Sequence, residues 1–208
     1  MKVLVILMAL TSSCSSLQQT QGNNATPVQE RKEQQLNTPK DGWEPIFFEA
    51  INERAKMANL KTLRAGALAE SDLEVRVWHG FGLTALEGFV LKRAAGKWSA
   101  IHLEGIHPRL PRSEYQKTLQ APKSGWEMCW QRLEEAGILT LPDASAIGCS
   151  TMVIDGMSYV VEFNNKGTYR TYLYDNPSYA KCNEAKQMIK VGSVISEEFG
   201  VPEMGTNE

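Results

Sequence analysis

A chain of 208 residues, 42% hydrophobic and 22% charged, has the composition of a globular protein with a core of its own, and room for one ordinary domain plus extensions. Its 22 Lys and Arg against 24 Asp and Glu leave a net charge of −2. No basic stripe runs along it, which argues against nucleic acid as a main partner, because phosphate backbones are held by clustered cations.

The chain opens with Met1 and Lys2, an apolar run from Val3 to Leu10, and the small residues Thr11, Ser12 and Ser13 ahead of Cys14. One positive charge, a short apolar stretch and small residues form the layout of a secretory signal, and the run is shorter than the roughly 18 residues of a spanning helix. With its cysteine directly after the small residues, "LTSSC" resembles the signal of bacterial lipoproteins, over the first fifteen or so residues only. In that family the cysteine receives lipid on its sulfur and becomes the new amino terminus. The resemblance therefore implies lipidation of Cys14 and a membrane-anchored place in the cell envelope, and Ser15 resembles the outer-membrane members. Thr11 stands where the family usually has leucine, with Leu10 one step further out. The alternative is simple secretion after a cut near Ser13 or Ser16.

Residues 15–42 are rich in Gln, Asn, Ser and Thr, and their few large apolar residues, Leu17, Val28 and Leu36, show no period. Such a segment cannot bury enough apolar surface to offset its ordering entropy, so it is expected to be a disordered tether. Random-coil scaling gives it a span of about 30 Å, enough to hold a domain clear of lipid headgroups. The organisation expected is thus a signal at 1–14, a tether at 15–42 and a single domain at 43–208.

Within the domain, Phe47, Ala50, Ile51, Arg54 and Ala58 recur at helical spacing after Pro45, predicting a first helix. From Leu73 the period becomes two, with Leu73, Val75 and Val77 facing one way and Glu74, Arg76 and Trp78 the other. "LEGFVLKR" and "KWSAIHLE" flank Ala94-Ala95-Gly96, a hairpin with a short glycine turn. A helical turn is expected at 113–119, and "GWEMCWQRLEEAG" reads as a helix with Trp126, Cys129, Trp130 and Leu133 on one face and Gly137 as its cap. Two further strands are expected at 152–154 and 159–163, the second turning through Asn165-Lys166-Gly167 into Thr168 to Tyr174. A long last helix is expected to open at Asn176-Pro177 and to bury Cys182, Ala185, Met188, Ile189, Gly192, Ile195 and Phe199. The fold class is α+β: an antiparallel sheet of about five to six strands, built from hairpins, with helices packed on one face. The two hairpins look alike, each with an aromatic just after the turn, so a diverged ββα duplication is a possible origin.

Three cysteines fall in the domain. Outside the cytoplasm thiols tend to pair, and Cys149 and Cys182 lie at one end of the last strand–strand–helix unit, so a Cys149–Cys182 disulfide is expected, with Cys129 as a small buried hydrophobe. No cysteine has a histidine near it in sequence, which argues against a base-activated nucleophile. His102 and Glu104 share a strand face beside His107, but the spacing matches no metal motif, and no cofactor or metal site is assigned. What remains is aromatic and basic: Arg170, Tyr172 and Tyr174 on one side of a strand, and Arg76 with Trp78 on the non-core side of another. Arg, Trp and Tyr are the residues of binding hot spots, so these five are the candidate partner-binding set. The function expected is that of a membrane-tethered, non-enzymatic envelope module binding a partner protein or cell-wall component. Alternatives are a small envelope hydrolase using a carboxylate or histidine of the sheet face, and an inhibitor or immunity-type module.

Overall fold

The computed structural model describes residues 44–64, 73–80, 87–105, 115–149, 151 and 156–203, all within the compact unit Arg31–Glu208. The signal with Cys14, the tether at 15–42, the strand expected at 152–154 and His107 lie outside these residues.

Helix α1 (Glu44–Met57) precedes β1 (Leu73–His79), the hairpin β2 (Glu87–Ala94) and β3 (Lys97–Leu103), and the short β4 (Gln116–Thr118). Helix α2 (Trp126–Glu135) and a 3-10 turn (Ala144–Ile147) lead to the hairpin β5 (Ser158–Asn165) and β6 (Thr168–Asp175), and α3 (Asn183–Phe199) ends the order. The strands form one open antiparallel sheet of six in the order β4-β3-β2-β1-β5-β6. The chain is therefore α+β, with the two hairpins on either side of β1. Both hairpins close through two-residue loops whose residues take positive φ, Ala95 and Gly96 in one and Lys166 and Gly167 in the other, the turn geometry that follows the natural twist of paired strands.

Alternation along β1 places Leu73, Val75 and Val77 on one face. They pack there with Phe89, Leu91, Val161, Phe163 and Tyr172, under Cys129, Trp130 and Leu133 of α2 and Ala185, Met188, Val191 and Ile195 of α3. The opposite face is covered as well: Trp78, Val90, Leu103 and Val160 lie against Ile51 and Ala55 of α1, Ala58 just after it, and Tyr115. The helices therefore occupy both faces of the sheet rather than one. Every residue of β1 is buried as a result, since it is an interior strand with a layer above and a layer below. Gly88 faces Trp78 across the strand pair, and a Cβ there would lie 2.9 Å from the indole, so a side chain at this position would push Trp78 off the sheet.

Two local expectations give way to tertiary structure. The stretch expected as a helical turn at 113–119 contains β4, because Gln116 to Thr118 find ladder partners in Leu103, His102 and Ile101. The last helix starts at Asn183, not at Asn176-Pro177: Asn176 takes φ 47° in a bend where its side chain accepts the Met157 N–H at 2.7 Å, and Cys182 is the N-cap. The free edge of β6 is blocked from alternative pairing by residues 138–143. Asp143 Oδ2 accepts the Leu173 N–H at 2.8 Å, and the hydroxyls of Tyr172 and Tyr174 donate to the carbonyls of Ile138 and Pro142, each at 2.9 Å.

Candidate functional site

Four of the five residues expected to form an open binding face are interior. Arg76 and Trp78 are 1% and 0% exposed, Tyr172 and Tyr174 are 0% and 1%. These four are interior because both faces of the sheet are roofed. Arg170 keeps partial exposure, but its guanidinium donates to the carbonyls of Leu139, at 2.7 Å, and Leu141, holding residues 139–141 to β6.

Arg76 and Trp78 belong to a buried polar centre beside α1. The Arg76 guanidinium donates to Glu74 Oε1 from Nε at 2.8 Å and from Nη2 at 2.6 Å, to the Lys61 carbonyl at 2.7 Å and to Glu162 Oε1 at 3.3 Å. Trp78 Nε1 donates to the same Glu162 oxygen at 3.1 Å, and the Tyr169 hydroxyl donates to Glu162 Oε2 at 3.0 Å. Burial pushes the Glu162 carboxyl above the usual range, opposed first by the charge of Arg76 and then by the three donors. Both Glu162 oxygens are thereby acceptors of fixed donors, and β1, β5, β6 and the segment after α1 are locked in one register.

A second polar group lies at the end of the sheet. His79 is in register with Glu87 on one side and with Tyr159 on the other, its ring 4.8 Å from that of Tyr159. It is 5% exposed, and neither ring nitrogen has a hydrogen-bond partner among the described residues. Burial lowers its pKa, and does the same for His102, where Glu104 opposes the shift. Glu87 is raised by burial and by the like charge of Glu104. His102 and Glu104, expected on one face, part company: His102 is inside, while Glu104 turns to solvent beyond the end of β3 and is held by Lys117 Nζ at 2.7 Å. Among the described residues no group of three His, Cys, Asp or Glu is placed to hold a metal ion.

Aromatic side chains reach the surface where the β2–β3 hairpin meets α2 and the end of α3. Trp98 follows the hairpin turn and stands across from Arg93, whose guanidinium carbon is 5.1 Å from the indole centroid. Trp126 starts α2 with its ring within 6° of parallel to Trp98 at a centroid separation of 6.4 Å. Trp130 tilts against Trp98 at 5.6 Å, and Phe199 against Trp126 at 6.0 Å. Trp98 Nε1 donates to Glu127 Oε1 at 2.7 Å, which fixes the rotamer of a half-buried ring. This corner offers two partly exposed indoles, a cation stacked on one of them and a carboxylate at its edge. Such a surface suits apolar and charged groups of a partner rather than bond-breaking chemistry. The sequence carries its signal in "GKWSA" and "GWEMCW", which read as a strand after a turn and as the core face of a helix; only the tertiary fold brings the two together.

The cysteine expectation is met in geometry. Cys149 and Cys182 form a disulfide pair with Cα atoms 6.0 Å apart, and Cys129 is free and buried, its thiol pushed up to about 12 chiefly by burial. Comparison of the chain with protein-family models, with curated proteins and with solved structures finds no match.

Proposed function

We propose that the chain is a membrane-tethered, non-enzymatic module of the cell envelope that binds a partner through the corner formed by Arg93, Trp98 and Trp126. The lipoprotein-like "LTSSC" supports the address, with lipid on Cys14, residues 15–42 as tether and the outer membrane as the favoured site. The observation that carries the binding role is the pair of partly exposed, near-parallel indoles with Arg93 over one of them, since Trp and Arg are the residues that dominate interface energetics. That composition favours a partner protein over a cell-wall polymer, and an inhibitor or immunity-type role falls within the same reading.

The test is capture from detergent-solubilised envelope with the full chain as bait. Trp98→Ala and Trp126→Ala each remove a hot-spot ring and should weaken retention of the partner by about tenfold or more, while the variants still melt cooperatively above the assay temperature. Unchanged retention by the double variant would put the binding surface elsewhere. On the address, Cys14→Ala should move the protein out of the detergent phase or block its maturation, and a mature amino terminus downstream of residue 14 would refute the anchor.

A second reading, a small envelope hydrolase, is favoured by one observation, the imidazole of His79, without a hydrogen-bond partner among the described residues, in a row with Glu87 and Tyr159. Loss of a hydrolytic activity in His79→Gln, with partner capture intact, would select it.

A further inference from the structure

A surface pocket of about 390 Å³ lies beside the disulfide, lined by Gly148, Cys149, Thr151, Tyr179, Lys181 and Cys182. We propose that the Cys149–Cys182 bridge is a thiol–disulfide exchange site, entered through this pocket by a partner dithiol that attacks Cys182. Three features of the site set it apart from a bridge that only staples the fold.

The bridge sits at the edge of the core, which Cys149 joins, and opens on its other side onto a concavity. Tyr179, 67% exposed, and the exposed Lys181 stand at its mouth, so a peptide carrying a thiol meets an aromatic ring and a cation on approach. The two sulfurs are also unequally placed: Cys149 is 6% exposed, whereas Cys182 is half-buried, and an incoming thiolate has the better access to Cys182. Finally, Cys182 is the N-cap of the 17-residue helix α3, and its sulfur accepts the Ala185 N–H at 3.4 Å. Negative charge developing on that sulfur is met by the positive end of the helix and by Lys181 next to it, with Glu184 in the first turn as the opposing charge.

A partner thiolate attacks the Cys182 sulfur, the Cys149–Cys182 bond breaks, and a partner–Cys182 bond forms. Cys149 leaves as a thiolate and takes up a proton. The second thiolate of the partner then attacks the partner's own sulfur, closing the partner's disulfide and expelling Cys182 as a thiolate held by the Ala185 N–H. Two electrons pass from the partner dithiol to this chain. In the reduced form the start of α3 is no longer tied to the 3-10 turn at Ala144–Ile147, so the bridge couples the redox state to the order of this end of the molecule.

The full chain is treated with dithiothreitol at neutral pH without denaturant, quenched with iodoacetamide and mapped by mass spectrometry, with far-ultraviolet circular dichroism in parallel. The expected result is alkylation of Cys149 and Cys182 while the helical signal persists and the buried Cys129 stays unmodified. In Cys149→Ser, oxidised glutathione should form a mixed disulfide on Cys182, and alkylation of Cys182 should reach half its maximal rate well below the ordinary thiol midpoint of about 8.5. A bridge that resists dithiothreitol until Cys129 reacts with it overturns the proposal, as does a Cys182 midpoint at or above the ordinary value. The wild-type measurement decides the matter if the serine variant does not fold.

Discussion

Glu162, 1% exposed and opposite Arg76, shows what a single buried charge demands of its neighbours. Its two oxygens take donors from Arg76, Trp78 and Tyr169, so removing the arginine would leave the buried Glu162 without a cation and Glu74 with only the more distant Lys92, at 3.8 Å. Arg76→Ala should therefore cost about 3–5 kcal/mol by urea denaturation, far more than an arginine on an open face would. A loss under about 1 kcal/mol would mean that Arg76 is not held in this network. The two buried histidines make a prediction about pH. His79 and His102 both have pKa values lowered from 6.5 by burial, so in acid the unfolded chain takes up protons that the folded chain refuses. The stability they contribute is complete above the ordinary histidine range. It is lost as pH falls through that range towards the lowered values, with a slope of up to about 1.4 kcal/mol per pH unit for each histidine. Glu104 and Glu198, whose carboxyls are held below the usual range, lose their contribution only at lower pH. His79→Phe, which keeps a ring against Tyr159, should flatten the decline between about pH 7 and about pH 5, read as urea midpoints across that interval. An unchanged slope would show that His79 is already free to take up a proton in the folded protein.

At the scale of elements, α3 illustrates how periodicity locates a buried stripe to within a residue. Ala185, Met188, Gly192 and Ile195 are buried as their spacing predicts, and Val191 and Val194 join them. Ile189 lies at the rim, half-buried, because the stripe runs through Met188, Val191 and Ile195 and leaves it at the edge. Met188→Ala should cost about 2–5 kcal/mol and lower the melting temperature by many degrees, and Ile189→Ala clearly less. Equal losses would rotate the helix from its present seating. At the carboxyl end of the same helix, Glu198 accepts the Ser124 N–H and hydroxyl at 2.9 Å each and pairs with Arg132, which ties α3 to α2. Cys129 of α2 lies buried in the same core as a free thiol, the other two cysteines of the domain being bonded to each other.

For the molecule as a whole, one sheet supports two cores. Leu133 of α2 packs in the cluster on one face and Ile51 of α1 in the cluster on the other, and β1 contributes alternate residues to both. Ile51→Ala and Leu133→Ala, each costing about 2–5 kcal/mol, should shift a single unfolding transition, because neither layer can be lost without exposing β1. A separate early transition in Ile51→Ala would show that α1 melts independently. Local pattern carried much of this architecture. Period-two segments, two glycine turns and helical stripes specified an α+β fold with paired hairpins, and the cysteines at one end of the last hairpin and helix suggested their own pairing. Those features are set by the nearest neighbours in the chain, through side-chain alternation and the positive φ that each turn requires. Whether a face is covered is not a local property. Alternation put Arg76 with Trp78, and Tyr172 with Tyr174, on shared faces, but their burial depends on α1 packing across one side of the sheet and α2 and α3 across the other. The same long-range packing brought Trp98 of a hairpin and Trp126 of a helix, 28 residues apart by their numbers, to one corner of the surface. The sequence by itself determined which residues face the same way. Only the tertiary structure decided which of those faces meet solvent, because covering a face takes segments distant in the chain.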